Sequence, residues 1–173
     1  LSVLMLAASL SAALSRQVVG YDMKVRLDPA AKTIAGSEVL TWLNDTDTAV
    51  SALRFHLYLN AFRNNRSTFV RERGAVPDRD GWGRIDVGRI ALLDGTDLTG
   101  TMAFVQPDDE NKDDRTVMEV RLPAPVQPGG TITLNVDFTA KLPRVVARSG
   151  YMGDFFMVGQ WFPKIGVLQN GGA

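Results

Sequence analysis

The sequence predicts an all-β fold, a mostly antiparallel sandwich or a set of strongly curved, saddle-shaped sheets. Apolar and polar residues alternate with a period of two in several short segments, which is typical of strands with one buried and one solvated face. Turn-forming residues separate these segments, and no long segment has the period of an amphipathic helix. Short strands joined in this way pack as antiparallel sheets.

The first three strands are predicted between residues 21 and 59. Residues 21–28 alternate apolar with charged side chains, and Pro29 ends the strand because it restricts the preceding residue and cannot donate to a ladder. The second strand covers residues 33–44, after which Asn44-Asp45-Thr46-Asp47 has the chemistry of a turn. The third covers residues 53–59, with His56 on its polar face.

The rest of the chain continues the pattern after a polar, arginine-rich excursion over residues 60–83, which contains a short helical turn around residues 67–72. Residues 85–93 and 98–105 flank Asp94-Gly95, a strong hairpin signal. An acidic loop (106–115), a strand (117–122) and a Pro/Gly turn (123–130) follow, and residues 132–140 form the clearest alternating strand.

Composition sets limits on function. The 173 residues, 45% hydrophobic and 22% charged, can form one core. Because Lys plus Arg equals Asp plus Glu at 19 each, no long-range field draws the chain to phosphate, and we expect no nucleic-acid partner. The absence of cysteine excludes disulfides and thiolate-bound zinc.

The first 14 residues are uncharged, apolar and shorter than the ~20 residues of a membrane-spanning helix. They end in small residues, as in a signal-peptide cleavage region; the alternative is a buried N-terminal helix. We therefore expect residues 1–17 to be a signal remnant or disordered, residues 18–173 to form one β-domain, and the protein to be exported.

Catalytic chemistry has few candidates in this sequence. His56 is the only histidine, and a zinc site normally needs three or four ligands, so a structural role is favoured for it. No H-E-x-x-H, G-x-S-x-G or P-loop motif occurs. Residues 78–81 and 108–114 are acidic but lack the ligand spacing of a calcium loop, so solvated loops are favoured. By its residues the chain is predicted to be non-catalytic.

An aromatic-rich segment, residues 150–166, lies near the end of the chain. It holds five large rings between glycines and is closed by Pro163. Burying one such ring is worth roughly 1.5–3 kcal/mol, so we expect a further element of the natural protein to cover this segment.

Four segments in order resemble the N-terminal domain of bacterial zinc aminopeptidases of the aminopeptidase N family, the gluzincin metallopeptidases. They are Y-D-M-K-V-R-L-D-P (21–29), I-A-G-S-E-V-L-T-W-L-N (34–44), L-Y-L-N-A-F (57–62) and G-Q-W-F-P-K (159–164). The last is most similar to a secreted bacterial branch. The similarity covers roughly residues 18–170.

The resemblance implies a saddle-shaped β-domain that packs on a thermolysin-like catalytic domain and acts on peptide substrates. In the family, H-E-x-x-H and a downstream Glu bind the zinc of the full-length enzyme, and zinc-activated water attacks the first peptide bond. Those ligands are not in this chain, so the cofactor is expected only in the full-length enzyme. An exported enzyme of this kind is periplasmic, extracellular or membrane-associated.

The family's N-terminal domain also contributes a glutamine or glutamate to the rim of the substrate cleft. Gln160 is the only candidate for that position here, and the competing interpretation is a turn residue in an aromatic segment. The candidates for a domain interface are Phe155, Phe156, Trp161 and Phe162.

The leading hypothesis is therefore the non-catalytic N-terminal domain of an exported zinc aminopeptidase. The alternative is a self-contained secreted β-sandwich binding or adhesion module. A family member that has lost its catalytic half is a third interpretation.

Overall fold

Residues 17–74 and 81–168 are described by the computed structural model, and they form two four-stranded antiparallel sheets and a two-stranded hairpin. The strands are β1 (Val19–Asp28), β2 (Thr33–Leu43), β3 (Val50–His56), β4 (Arg84–Leu92), β5 (Met102–Phe104), β6 (Val117–Val126), β7 (Thr131–Lys141), β8 (Gly150–Met152), β9 (Phe155–Met157) and β10 (Lys164–Ile165). Sheet one has the order β1-β2-β7-β4, sheet two has β10-β3-β6-β5, and β8 pairs with β9. The prediction of an all-β antiparallel sandwich is confirmed. The predicted signal segment lies, apart from Gln17, outside the described residues.

One hydrophobic core joins the inner faces of the two sheets. Alternation along each strand turns every second side chain inward, so Leu40 and Leu134 of sheet one and Phe55 of sheet two are fully buried. Most residues on the opposite face of β2 and β7 are polar and at least partly exposed, as the period of two predicts, although Val39 is also exposed there. No helix within residues 17–74 or 81–168 is long and apolar enough to cross a membrane.

Gly36 allows an unusually close contact inside sheet one. It pairs with Phe138 of β7, and the phenyl ring lies over it. A Cβ atom at Gly36 would lie 2.5 Å from Phe138 Cζ, nearer than real Cβ contacts come. The glycine in the second strand is therefore required by packing.

The prediction that the third strand continues to residue 59 is wrong. β3 ends at His56, and residues Tyr58–Phe62 form a 3₁₀ turn. Buried Asn60 accounts for the change, because its side chain donates to the Arg115 carbonyl at 2.8 Å and accepts from the Ile85 amide at 2.9 Å. These bonds hold the turn against the starts of β4 and β6.

The prediction of a hairpin around Asp94-Gly95 is correct for the turn but wrong for the second strand. The turn forms, with Gly95 at φ 92° and the Leu92 amide donating to the Thr96 carbonyl at 2.9 Å. Only an isolated bridge between Ala91 and Asp97 follows, and the chain then crosses to sheet two, where β5 pairs with β6. The Thr99 hydroxyl accepts from the Ile90 amide at 3.1 Å, where a second hairpin strand would otherwise pair.

The short helical turn predicted in the arginine-rich excursion is present as α1 (Thr68–Arg73). Ser67 caps its start by accepting from the Val70 amide, and Gly74 ends it in the left-handed conformation at φ 65°.

Candidate functional site

A cavity of about 420 Å³ lies where the 3₁₀ turn and α1 meet the segment that contains Gln160. Two chain segments face these elements, residues 147–149 and residues 157–160. The lining residues are Tyr58, Leu59, Ala61, Phe62, Phe69, Ala147, Arg148, Ser149, Met157, Val158, Gly159 and Gln160. A mainly apolar concavity with a few polar groups at its edge is the usual form of a binding site.

Aromatic packing forms one wall of the cavity. The rings of Phe62 and Phe69 meet edge to face with centroids 5.3 Å apart. Ser67 positions α1 for this contact, because its hydroxyl donates to the Ala61 carbonyl at 2.6 Å while the same oxygen caps the helix. The Arg73 guanidinium lies over Phe69, 5.6 Å from the ring centroid.

Backbone strain marks the opposite wall. Ala147 and Gln160 have φ values of 52° and 50°, in the left-handed region that non-glycine residues rarely adopt. The Ser149 hydroxyl donates to the Gly159 carbonyl and ties the two segments together. A Cβ atom at Gly159 would lie 2.8 Å from the Arg148 carbonyl oxygen, so the segments touch as closely as glycine permits. This conformation costs about 1–3 kcal/mol per non-glycine residue, so the contacts between the two segments must hold it in place.

Polar groups stand at the mouth of the cavity. The side chains of Gln160 and Arg148 are exposed there, and Tyr58 is half-buried. His56 stacks on Tyr58 with ring centroids 5.1 Å apart, and burial lowers the pKa of His56. The arrangement can hold an apolar group inside while the Gln160 amide and the Arg148 guanidinium contact polar atoms at the rim.

The four aromatic residues predicted to form a domain interface separate into two groups. Three of them are half-buried against the domain itself. The ring centroids of Phe162 and Tyr21 lie 5.3 Å apart, and those of Trp161 and Phe138 lie 6.0 Å apart. The Phe156 ring packs under the Lys32 ammonium. Phe155 alone is exposed, with 62% of its surface open to solvent.

The β8–β9 hairpin explains this division. Its pairing places Met152 opposite Phe155, and Met157 lies on the same side. These three side chains, here called the hairpin face, are 71%, 62% and 48% exposed. The other side holds Tyr151 and Phe156 under the Lys32 ammonium, which also donates to the Gly153 carbonyl at 2.9 Å. Met157 belongs both to the hairpin face and to the cavity wall, so the two features adjoin.

A second unusual group, Glu38, lies in the core of the sandwich. Its side chain is 1% exposed, and neither carboxylate oxygen has a hydrogen-bond partner among the described residues. Burial raises the pKa of Glu38 to about 8, because the charged form loses its hydration. Burial also raises the pKa of Tyr21 to about 12, and its hydroxyl accepts from the Ile165 amide at 3.0 Å.

A zinc site does not fit the described residues. No group of three or more His, Cys, Asp or Glu side chains within residues 17–74 and 81–168 is arranged to hold a metal ion. The zinc that the resemblance implies therefore has no ligand set in this part of the chain.

Sequence reasoning identified Gln160 but missed most of its surroundings. Ala147 and Arg148 follow no motif, and the exposure of Met152 and Met157 depends on which side of a short hairpin faces the core. Glu38 could have been found, because the period of two places it on the same face of β2 as Leu40 and Trp42.

No protein-family model and no curated protein matches this chain.

Proposed function

We propose that this chain is the non-catalytic N-terminal domain of an exported zinc aminopeptidase of the aminopeptidase N family. In this role it shapes the cleft that receives the amino end of a peptide, and it packs on the enzyme's catalytic domain. The zinc ligands and the general base belong to that catalytic domain.

The convergence of two family-like segments at one cavity supports the proposal. Residues 57–62 and 159–164 are far apart in sequence, yet Tyr58, Phe62 and Gln160 line the same concavity. Gln160 is exposed at the mouth of this cavity, and its backbone has the left-handed φ of 50°.

The hairpin face is the single observation that carries the proposal. Met152, Phe155 and Met157 present three large apolar side chains to solvent from one short hairpin. Exposed apolar patches on soluble domains mark surfaces that contact other proteins or domains. Because this patch adjoins the cavity, a domain packed on it would form the opposite side of a cleft whose rim includes Gln160.

The first test is the reading frame that encodes this chain. The proposal expects an H-E-x-x-H motif and a downstream Glu in the frame beyond Ala173. A frame without them would overturn it and would favour a family member without its catalytic half.

The second test measures aminopeptidase activity of the full-length enzyme with Gln160→Gly, a substitution that removes the amide and suits the positive φ. Losing one hydrogen bond to the substrate is worth about 1 kcal/mol, so kcat/KM for an aminoacyl nitroanilide should fall by about fivefold or more. Gln127→Gly, in the exposed turn before β7, is the matched control and should leave kcat/KM unchanged. Equal activity of both variants would remove Gln160 from the cleft.

A self-contained binding module is the second candidate, favoured by the cavity, since residues of this chain alone line it. The two functions differ in the behaviour of the isolated chain. The aminopeptidase domain should associate through the hairpin face, and Phe155→Ser should raise its solubility. The binding module should be soluble with Phe155 in place, which size-exclusion chromatography during concentration would show.

A further inference from the structure

The open edge of sheet one is a surface that the proposed function does not use. β1 pairs with β2 over its whole length in a regular antiparallel register, and within residues 17–74 and 81–168 no strand pairs with its other edge. The Val18 carbonyl accepts from the Leu43 amide at 2.9 Å, so even-numbered residues direct their backbone groups toward β2. The odd-numbered residues of β1 therefore direct their N–H and C=O groups to the open edge.

Side chains near this edge are also incompletely covered. Val25 and Leu27 lie on the inner face of sheet one, yet 51% and 42% of their surfaces are exposed. Sheet two begins with β10, which has only two residues and reaches β1 through the bond from Ile165 to Tyr21. The second half of β1 therefore offers a backbone ladder and apolar side chains together, which is a template for a further strand.

We propose that a second copy of this chain pairs with this edge, so that two β1 strands meet antiparallel around a two-fold axis at Met23 and join two sheets into one. In this register Tyr21 of each copy lies opposite Val25 of the other, and Val19 lies opposite Leu27. On the outer face, Asp22 of each copy lies opposite Lys24 of the other.

Charge selects this register over its neighbours. The two-fold axis must keep the inner faces of the two copies on the same side of the joined sheet. Because opposite residues of an antiparallel pair lie on the same face, the axis can pass only at a residue of β1 and not between two residues. An axis at Asp22 sets two aspartates opposite each other and forms no opposite-charge pair. An axis at Lys24 forms two pairs between Asp22 and Arg26 but sets two lysines opposite each other at its centre. An axis at Val25 sets Lys24 opposite Arg26, another like-charge pair. Opposite charges across strands contribute roughly 0.2–1 kcal/mol and like charges oppose pairing, so Met23 is the favoured centre.

The charges on this strand are compatible with pairing. Charged residues on edge strands often prevent association. Asp22 and Lys24 are exposed and lie opposite each other across the two-fold axis, so in this register they favour it. A single edge-to-edge ladder is a small interface, so we expect a weak dimer that depends on concentration.

A charge-exchange experiment tests both the dimer and its register. The chain should sediment as a monomer of 18.9 kDa at low concentration and shift toward twice that mass as its concentration approaches about 1 mM. Asp22→Lys alone and Lys24→Asp alone should each abolish the shift, because like charges then face each other. An equimolar mixture of these two single variants should dimerise again, since lysines of one chain then face aspartates of the other. The double exchange should dimerise by itself.

Controls separate this association from other causes. Arg121→Asp, an exposed charge reversal on β6, should leave the dimer unchanged. The series is repeated with Phe155→Ser, so that association through the hairpin face, which belongs to the proposed function, is removed independently. A chain that stays monomeric to about 1 mM overturns the inference. A dimer that survives both single reversals, or a mixture that does not restore it, overturns the register.

Discussion

The buried carboxyl group of Glu38 makes the stability of the domain depend on pH. The carboxyl group sits between the sheets of the sandwich, 1% exposed, on the strand face that it shares with Leu40 and Trp42. Neither oxygen is hydrogen-bonded within the described residues. An ionised carboxylate in such a place would lose its hydration at a large cost in free energy, so the Glu38 carboxyl stays mostly protonated at neutral pH.

The size of this pH dependence follows from the pKa of Glu38 in the folded and the unfolded chain. The ordinary value is 4.5, which we assign to the unfolded chain, and burial raises the pKa in the folded chain to about 8. Between these values the folded protein holds a proton that the unfolded chain has released, so stability falls as pH rises. At about 1.4 kcal/mol per pH unit, this group costs about 3 kcal/mol by pH 7 and about 5 kcal/mol above pH 8.

The perturbation is Glu38→Gln, which replaces the carboxyl with a group of similar shape that stays neutral. We expect the variant to lose this pH dependence and to exceed the parent in free energy of unfolding by about 3 kcal/mol at pH 7, with near equality at pH 4.5. The lowered pKa of His56 contributes a pH dependence of the opposite sign around its ordinary value of 6.5. It is present in both proteins and cancels in their difference.

Urea unfolding followed by tryptophan fluorescence, in one-unit steps from pH 4.5 to pH 8.5, measures the difference directly. Glu72→Gln, which changes an exposed carboxylate on α1, is the matched control and should leave the pH slope unchanged. Parallel curves for the parent and Glu38→Gln across this range would refute the reasoning, as would a variant less stable than the parent at pH 7.

Two further predictions concern packing, and both are read from urea midpoints. Gly36→Ala should destabilise the domain by about 1–3 kcal/mol, because its Cβ would lie 2.5 Å from Phe138 Cζ. Adding Phe138→Leu should recover part of this loss, because the smaller side chain relieves the clash. If the effects of the two substitutions on the free energy of unfolding simply add, the clash is not the cause. Asn60→Ala should cost at least about 2 kcal/mol, because it leaves the Ile85 amide and the Arg115 carbonyl without their partner. An effect below about 0.5 kcal/mol would mean that water replaces the asparagine.

The fold class was available from the sequence because alternation is a local property. Each strand carries its own period of two, and the strongest segments, such as residues 21–28 and 132–140, lie within β1 and β7. The alternation of residues predicted the wrong structure where a hydrogen bond to a residue far away in sequence decides the local conformation. Asn60 turns the end of the third strand into a 3₁₀ turn through bonds to Ile85 and Arg115, and neither partner is near it in sequence.

For the candidate site, the sequence offered Gln160 as a candidate and showed a concentration of aromatic rings. Only the tertiary structure decided that Trp161 and Phe162 pack into the domain while Phe155 faces solvent. It also joined residues 57–62 to residues 157–160 around one cavity. The reason is physical: alternation shows that a strand has two faces, but which face is buried depends on the surface that another part of the chain brings against it.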